Sequence, residues 1–288
     1  ATYTNKSSVK IDGADKGSAE ASYTINKKVV PAVSKKASDN VQWNAGYEWP
    51  DGSKGAWIVD WEVHVNCNEP NSWTHSAASD LKGAEVAVKD TLGDGLTYVS
   101  GSSQYWLYGD NGYSTAGYWP ELKAEPSFDG GTATFAIPTA SVAKEDGSWK
   151  GYVKLTYKTA IKASAVEPGE SKEFSNTAEA SAGDLKFPAG TGKATVANKV
   201  LDKQAAYASD GAHVAYTIKV NPNALKIGSS DSLTLVDTLS AGAAFTNGTL
   251  SVTDAEGKKV TEGVSYTLKN KANEDGSTST VLTLTVPN

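Results

Sequence analysis

The chain has 288 residues, with no arginine, no methionine and a single cysteine, Cys67. Each shortage excludes something. One cysteine cannot form an internal disulfide, and in a secreted chain it is a bland buried thiol or a reactive one. Without arginine, and with lysines scattered along an acidic chain of net charge −6 and pI 5.2, there is no basic face of the kind nucleic acid requires. No apolar run is long enough to span a bilayer, and no signal peptide or sorting tail is recognisable. His64, His75 and His213 are scattered and lack metal-ligand spacing, so no metal and no cofactor are expected. Asp110-Asn111-Gly112 is a turn signal and weak as a calcium loop. There is no phosphate-binding glycine loop and no hydrolase serine elbow.

Helical periodicity is scarce too. What is present is Thr, Val, Tyr, Ser, Gly and Asn in short alternating runs, the composition of an all-β protein. Residues 20–31 read as a first strand ending at Pro31, and residues 39–55 as a loop. Residues 57–66 alternate cleanly: Trp57, Val59, Trp61, Val63 and Val65 point one way, Asp60, Glu62 and His64 the other, as in an antiparallel strand with one wet face. Further strands are read over residues 85–92, 132–137 and 152–161. In Lys172-Glu-Phe-Ser-Asn-Thr-Ala-Glu-Ala180, Phe174, Asn176, Ala178 and Ala180 share one face at period two. An amide so placed needs a partner.

The chain repeats. Asn5 follows Tyr3 as Asn176 follows Phe174, and Lys28 in Thr24-Ile-Asn-Lys-Lys28-Val matches Lys199 in Thr195-Val-Ala-Asn-Lys199-Val. Both 176 − 5 and 199 − 28 give 171, one offset from two independent landmarks. Residues 1–12 then read as the last strand of a preceding repeat, 13–184 as one complete repeat, and 185–288 as a second that lacks its final strands. The chain is therefore expected to be a piece of a longer protein. About seven short strands per repeat argue an immunoglobulin-like sandwich.

Asp90 lies on the face of Val86 and Val88, and Asp237 on that of Leu233 and Leu235, so both carboxyls point inward and must be protonated or paired. Each repeat also carries a lysine on its first strand. A lysine in an apolar setting has its pKa pushed down and becomes a nucleophile, while a protonated carboxyl can polarise an amide carbonyl and shuttle protons. Lys, Asp and Asn in one core are equipped for attack of the amine on the Asn carbonyl, loss of ammonia and an intramolecular amide. A buried Lys–Asp salt bridge beside a hydrogen-bonded Asn is the plainer alternative. Strand alternation selects Lys27 as the inward amine, and the repeat offset selects Lys28.

The order Lys, Trp-x-Val-x-Val-Asn, Val-Lys-Asp-Thr-Leu, Glu-Phe-Ser-Asn-Thr-Ala resembles the isopeptide-forming domains of the collagen-adhesin type found in Gram-positive surface adhesins and pilins. The resemblance covers most of both repeats and implies tandem immunoglobulin-like β-sandwiches. It implies Lys28 as nucleophile, Asp90 as catalytic acid and Asn176 as acceptor, with Lys199 and Asp237 as their counterparts in the second repeat and Asn5 as acceptor of a preceding one. It further implies a cell-wall-anchored extracellular stalk or adhesin, anchored outside this chain, that turns over no substrate and neighbours other repeats of its own protein.

All eight tryptophans fall between residues 43 and 149. Trp57 and Trp61 suit the core. Trp43, Trp49, Trp73, Trp106 and Trp119 occupy loop-like segments that the second repeat lacks. Exposed aromatic clusters often mark binding surfaces, so these are candidates for a ligand face toward a glycan or host matrix protein. Alternatively, they fold back into a satellite core. The Asn5 strand of one molecule could also complete the second repeat of another, giving head-to-tail chains.

Overall fold

The computed structural model describes residues 2–24, 31–75, 79–109, 123–208, 211, 213–223 and 230–287. It divides into two units, Ala1–Lys199 and Val200–Asn288.

The first unit opens with a hairpin of β1 (Thr2–Ile11) and β2 (Ala14–Thr24). Asp12 and Gly13 turn it with positive φ, as a two-residue hairpin connection requires. Pro31, which cannot donate to a ladder, precedes β3 (Ala32–Ala37). Of the strand read over residues 20–31, the part to Thr24 belongs to the hairpin, and among the described residues the sandwich begins with β3. The segment read as a loop over 39–55 contains β4 (Gln42–Glu48), which pairs with β5 (Lys54–Cys67).

The remaining strands are β6 (Val86–Thr91), β7 (Thr97–Tyr98), β8 (Gln104–Tyr108), β9 (Ser127–Asp129), β10 (Thr132–Ile137), β11 (Tyr152–Lys162), β12 (Ser171–Ala182) and β13 (Leu185–Ala197). They form two sheets. One has the order β13-β12-β6-β10-β9. The other runs β3-β5-β11-β7, with β4 also on β5 and β8 also on β11. Every pairing is antiparallel. The inward faces carry Val63, Val65, Leu155, Ile161, Val88, Phe135 and Ile137, all buried. This is an all-β sandwich, with hydrophobic alternation filling the space between its sheets.

Across the sandwich, β13 lies on β3 with almost no side-chain clearance. A Cβ on Gly190 would stand 2.5 Å from the Val33 carbonyl oxygen, and one on Gly192 would stand 3.0 Å from both Lys36 Cα and the Trp61 ring. Glycine at these two positions lets the backbones approach.

The second unit holds β14 (Leu201–Tyr207) paired with β15 (Val214–Val220), and a sheet of order β16-β18-β17 built from β16 (Ser232–Leu239), β17 (Ser265–Ala272) and β18 (Thr278–Pro287). Asp237 faces Leu282 in the β16–β18 ladder much as Asp90 faces Ala133 in β6–β10. Among the described residues its buried hydrophobics are Leu282 and Leu284.

Candidate functional site: a buried Lys–Asp–Tyr–Asn cluster

Asp90 sits in the middle of β6, opposite Ala178 of β12 on one side and Ala133 of β10 on the other. The two alanines leave room for a carboxyl that is completely buried. Asn176, two residues before Ala178 on β12, points into the same space and is 1% exposed. From the opposite sheet, Lys35 of β3 reaches in with its side chain fully shielded.

The Lys35 amine donates to Asp90 Oδ2 and, at 2.5 Å, to the Tyr157 hydroxyl. Tyr157, on β11, in turn donates to Asp90 Oδ2 and accepts from Asn176 Nδ2 at 2.9 Å. One phenol oxygen therefore touches all three groups, accepting twice and donating once, which uses its full capacity. The indole ring of Trp61 and the Tyr157 ring both lie 5.2 Å from the Lys35 nitrogen. Two polar atoms stay without a hydrogen-bond partner, Asp90 Oδ1 and Asn176 Oδ1. Burial pushes the Lys35 amine down to about 8, against the opposing pull of Asp90. Burial first, then the charge of Asp90, pushes the Tyr157 hydroxyl well above its ordinary value.

The arrangement is chemically specific. A proton passing from Lys35 to Asp90 leaves a neutral amine and a neutral acid with no net change of charge, in a space that disfavours charge. The amide beside them has a carbonyl oxygen free to accept a hydrogen bond from that acid.

The structure brings together Asp90 and Asn176 as the sequence places them, but the amine at the site belongs to Lys35. Lys28 and Lys27 lie outside the described residues. In the second unit the amine beside Asp237 is Lys203, at 2.5 Å. Lys199, the residue the offset assigns, is exposed and outside any strand, so that assignment is corrected. A local signal for both amines existed: Val33-Ser-Lys35-Lys-Ala37 parallels Leu201-Asp-Lys203-Gln-Ala205, at an offset of 168 rather than 171 (203 − 35). Tyr157 escaped sequence reasoning. Its signal was its place on the inward face with Leu155 and Thr159, because a buried phenol needs a partner.

Asn5 lies on the exposed β1, opposite Ala21, as Asn176 lies opposite Gly192. Both partners are displaced by 171 (176 − 5 and 192 − 21), and hairpin β1–β2 repeats the register of hairpin β12–β13 from Thr2 to Ser7, with the bulge falling earlier in β12. Lys203 and Asp237 keep 35% and 13% of their side-chain surface exposed, against none for Lys35 and Asp90.

The aromatic candidates separate. Trp43 packs edge-on against Trp57 and touches Gly55. Trp49 is buried with Ala56 and Ala160, under Tyr47, and donates to the Gly55 carbonyl. Trp49 thus belongs to a satellite core on the outer face of β5, while Trp43, opposite Trp57 in the β4–β5 ladder, packs on the other face. Trp73 remains 37% exposed, with Lys36 over its ring. Trp106 is half-buried with Lys154 over it. Trp119 lies outside the described residues.

A β-sandwich crossed at mid-height by a buried amine, acid and amide is the class that fold and site define. No family model and no curated protein matches the chain. Its solved structural neighbours are adhesin and pilin domains. One is the collagen-binding subdomain of the Enterococcus faecalis surface protein ACE, at 11% identity over 60% of this chain and 100% of that one, TM-score 0.33. Another is the collagen adhesin CNA of S. aureus, at 14% over 71% and 56%, TM-score 0.31. A third is BcpA, the major pilin subunit of Bacillus cereus, at 14% over 98% and 78%, TM-score 0.33.

Proposed function

We propose that this chain is a structural module of a Gram-positive surface adhesin or pilus stalk, in which an autocatalytic isopeptide bond joins Lys35 to Asn176. The observation that carries this reading is the buried cluster itself, with amine and amide both held on the Tyr157 hydroxyl beside Asp90. Neutral Lys35 attacks Asn176 Cγ. The protonated Asp90 donates to Asn176 Oδ1 as negative charge develops there, in a water-free site where one such donor is worth several kcal/mol, about 3. The tetrahedral intermediate collapses, the Nδ2 group leaves as ammonia with the proton shed by the amine, and the Lys35–Asn176 amide remains. Asp90 ends as it began. The event happens once per chain, and no substrate is turned over.

The bond would tie β3 of one sheet to β12 of the other. A pull on the chain ends would then run through a covalent link and bypass most of the sandwich, which suits a tensile stalk on a cell wall. Among the described residues, Asn5 on hairpin β1–β2 has no lysine–aspartate pair beside it, and the Lys203–Asp237 pair has no Asn beside it. Those two half-sites fit an array in which successive modules exchange strands.

The deciding experiment is the intact mass of the denatured chain. Wild type should be lighter than its sequence mass by one ammonia, while Asn176→Ala, Asp90→Ala and Lys35→Ala should match theirs and Lys28→Ala should still show the loss. Full sequence mass in the wild type would reduce the cluster to a buried salt bridge.

A further inference from the structure

At the far end of β5 from the satellite core, three residues converge that one-dimensional spacing keeps apart. His64, Cys67 and His75 each bring a donor atom within 4.8 Å of the others. The Cys67 sulfur lies 3.5 Å from His75 Nε2. That separation is close to what two ligands of one tetrahedral zinc ion require, about 3.5 Å from bond lengths of roughly 2.3 and 2.0 Å.

The local backbone explains the convergence. Strict alternation would put His64 and Cys67 on opposite faces. Asn66 adopts φ +75°, and the β3–β5 ladder slips there, pairing Ala32 with Cys67 but Val33 with Val65. Parity reverses, and Cys67 turns to the face of His64, where it is fully buried. The Asn66 side chain then bonds the Ser79 backbone, four residues beyond His75, and the Gly151 carbonyl.

The second observation concerns His64. It is only 8% exposed, and its Nδ1 has no hydrogen-bond partner. A buried imidazole in that condition calls for a ligand. Glu62 Oε1 stands 3.1 Å from His64 Nε2, placed to orient the ring as carboxylates do behind metal-bound histidines. Stacking on Tyr152 at 3.6 Å fixes His75, and Trp73 closes edge-on over His64 at 4.6 Å.

We infer that His64, Cys67 and His75 form a binding site for a thiophilic transition metal ion, Zn²⁺ by its donor set of two imidazoles and one thiolate. Binding exchanges the thiol proton for the metal: the proton leaves to solvent, a metal–sulfur bond forms, and both imidazoles bind neutral. The ion would tie the loop bearing His75 to the end of β5. The site is separate from the Lys35 cluster and does not depend on the isopeptide reading.

The test uses the full chain, with Co²⁺ as spectroscopic probe and Zn²⁺ in competition. One equivalent of Co²⁺ should produce a thiolate-to-metal charge-transfer band that Zn²⁺ abolishes. His75→Gln, at a half-exposed position, should preserve the fold by circular dichroism and weaken binding at least tenfold. Glu62→Gln should weaken it by about tenfold through the orientation of His64, and Cys67→Ser should remove the charge-transfer band. A wild type without the band, or a band unaffected by His75→Gln, would overturn the assignment.

Discussion

The Lys35 amine is the group on which the chemistry of the core turns, and its environment makes its titration readable. Held neutral down to about pH 8 by burial, it binds a proton less readily in the fold than in the unfolded chain, where the ordinary value is about 10.4. Between those values the unfolded state carries more protons, so rising pH stabilises the fold. Above about 10 the sign reverses, because the buried Tyr157 hydroxyl keeps its proton while an unfolded one loses it. In Asn176→Ala, where the amine stays free, stability from urea unfolding should therefore climb from pH 8 to 10, by at most ~1.4 kcal/mol per pH unit, and then fall. Adding Lys35→Met should flatten the climb. An unchanged climb in that double variant would show that other groups produce it.

Asp90→Ala acts at the same scale. It leaves a buried amine without its counter-charge, a change that costs roughly 3–5 kcal/mol, and it should abolish the loss of ammonia. Tyr157→Phe removes the one oxygen shared by amine, acid and amide; time-resolved mass measurement after refolding should show bond formation slowed relative to wild type. Formation at the wild-type rate would make Tyr157 a spectator.

At the scale of the element, the tightest constraint is the crossing of β13 over β3. Gly190 and Gly192 meet backbone atoms there, and no side-chain rotation relieves a Cβ placed against Val33 O or Lys36 Cα. Gly192→Val should therefore destabilise the first unit by an overpacking cost of about 1–3 kcal/mol, read as a lower urea midpoint. Because β13 backs the strand that carries Asn176 and lies against the one that carries Lys35, the same variant should also leave part of the population without the cross-link. Gly131, by contrast, has open space around its Cβ position, and Gly131→Ala serves as a near-neutral control.

At the scale of the whole molecule, a Lys35–Asn176 bond closes a loop of 141 residues (176 − 35). By analogy with long disulfide loops, that constraint on the unfolded chain is worth about 4–5 kcal/mol, and reductants would not touch it. Thermal unfolding of Asn176→Ala should fall well below wild type, and the difference should survive in dithiothreitol. The strand-exchange reading makes a second prediction. In the first unit the Asp-bearing strand β6 takes the acceptor strand β12 on one edge, whereas among the described residues β16 pairs only with β18. Light scattering should show mass rising with concentration for the full chain, and removal of residues 1–24 should hold it monomeric. A full chain that stays monomeric at the highest concentration would count against the exchange.

Much of this was legible in the sequence, and the reason is periodicity. Period-two alternation determined the all-β class and the inward faces of Asp90 and Asn176, and the offset of 171 determined that the hairpin at the start repeats the one at Asn176. Both signals are local or self-referential, so one dimension suffices. Three things only the tertiary structure decided. The lysine was one, because alternation assigns a face within a strand but cannot tell which strand of the facing sheet brings an amine opposite Asp90; β3 does so, and Lys35 replaces the residue the offset favoured. Tyr157 was another, since a hub shared by three groups on three different strands leaves no spacing to read. The third was the meeting of His64, Cys67 and His75, hidden by a left-handed Asn66 that reverses strand parity in a single residue.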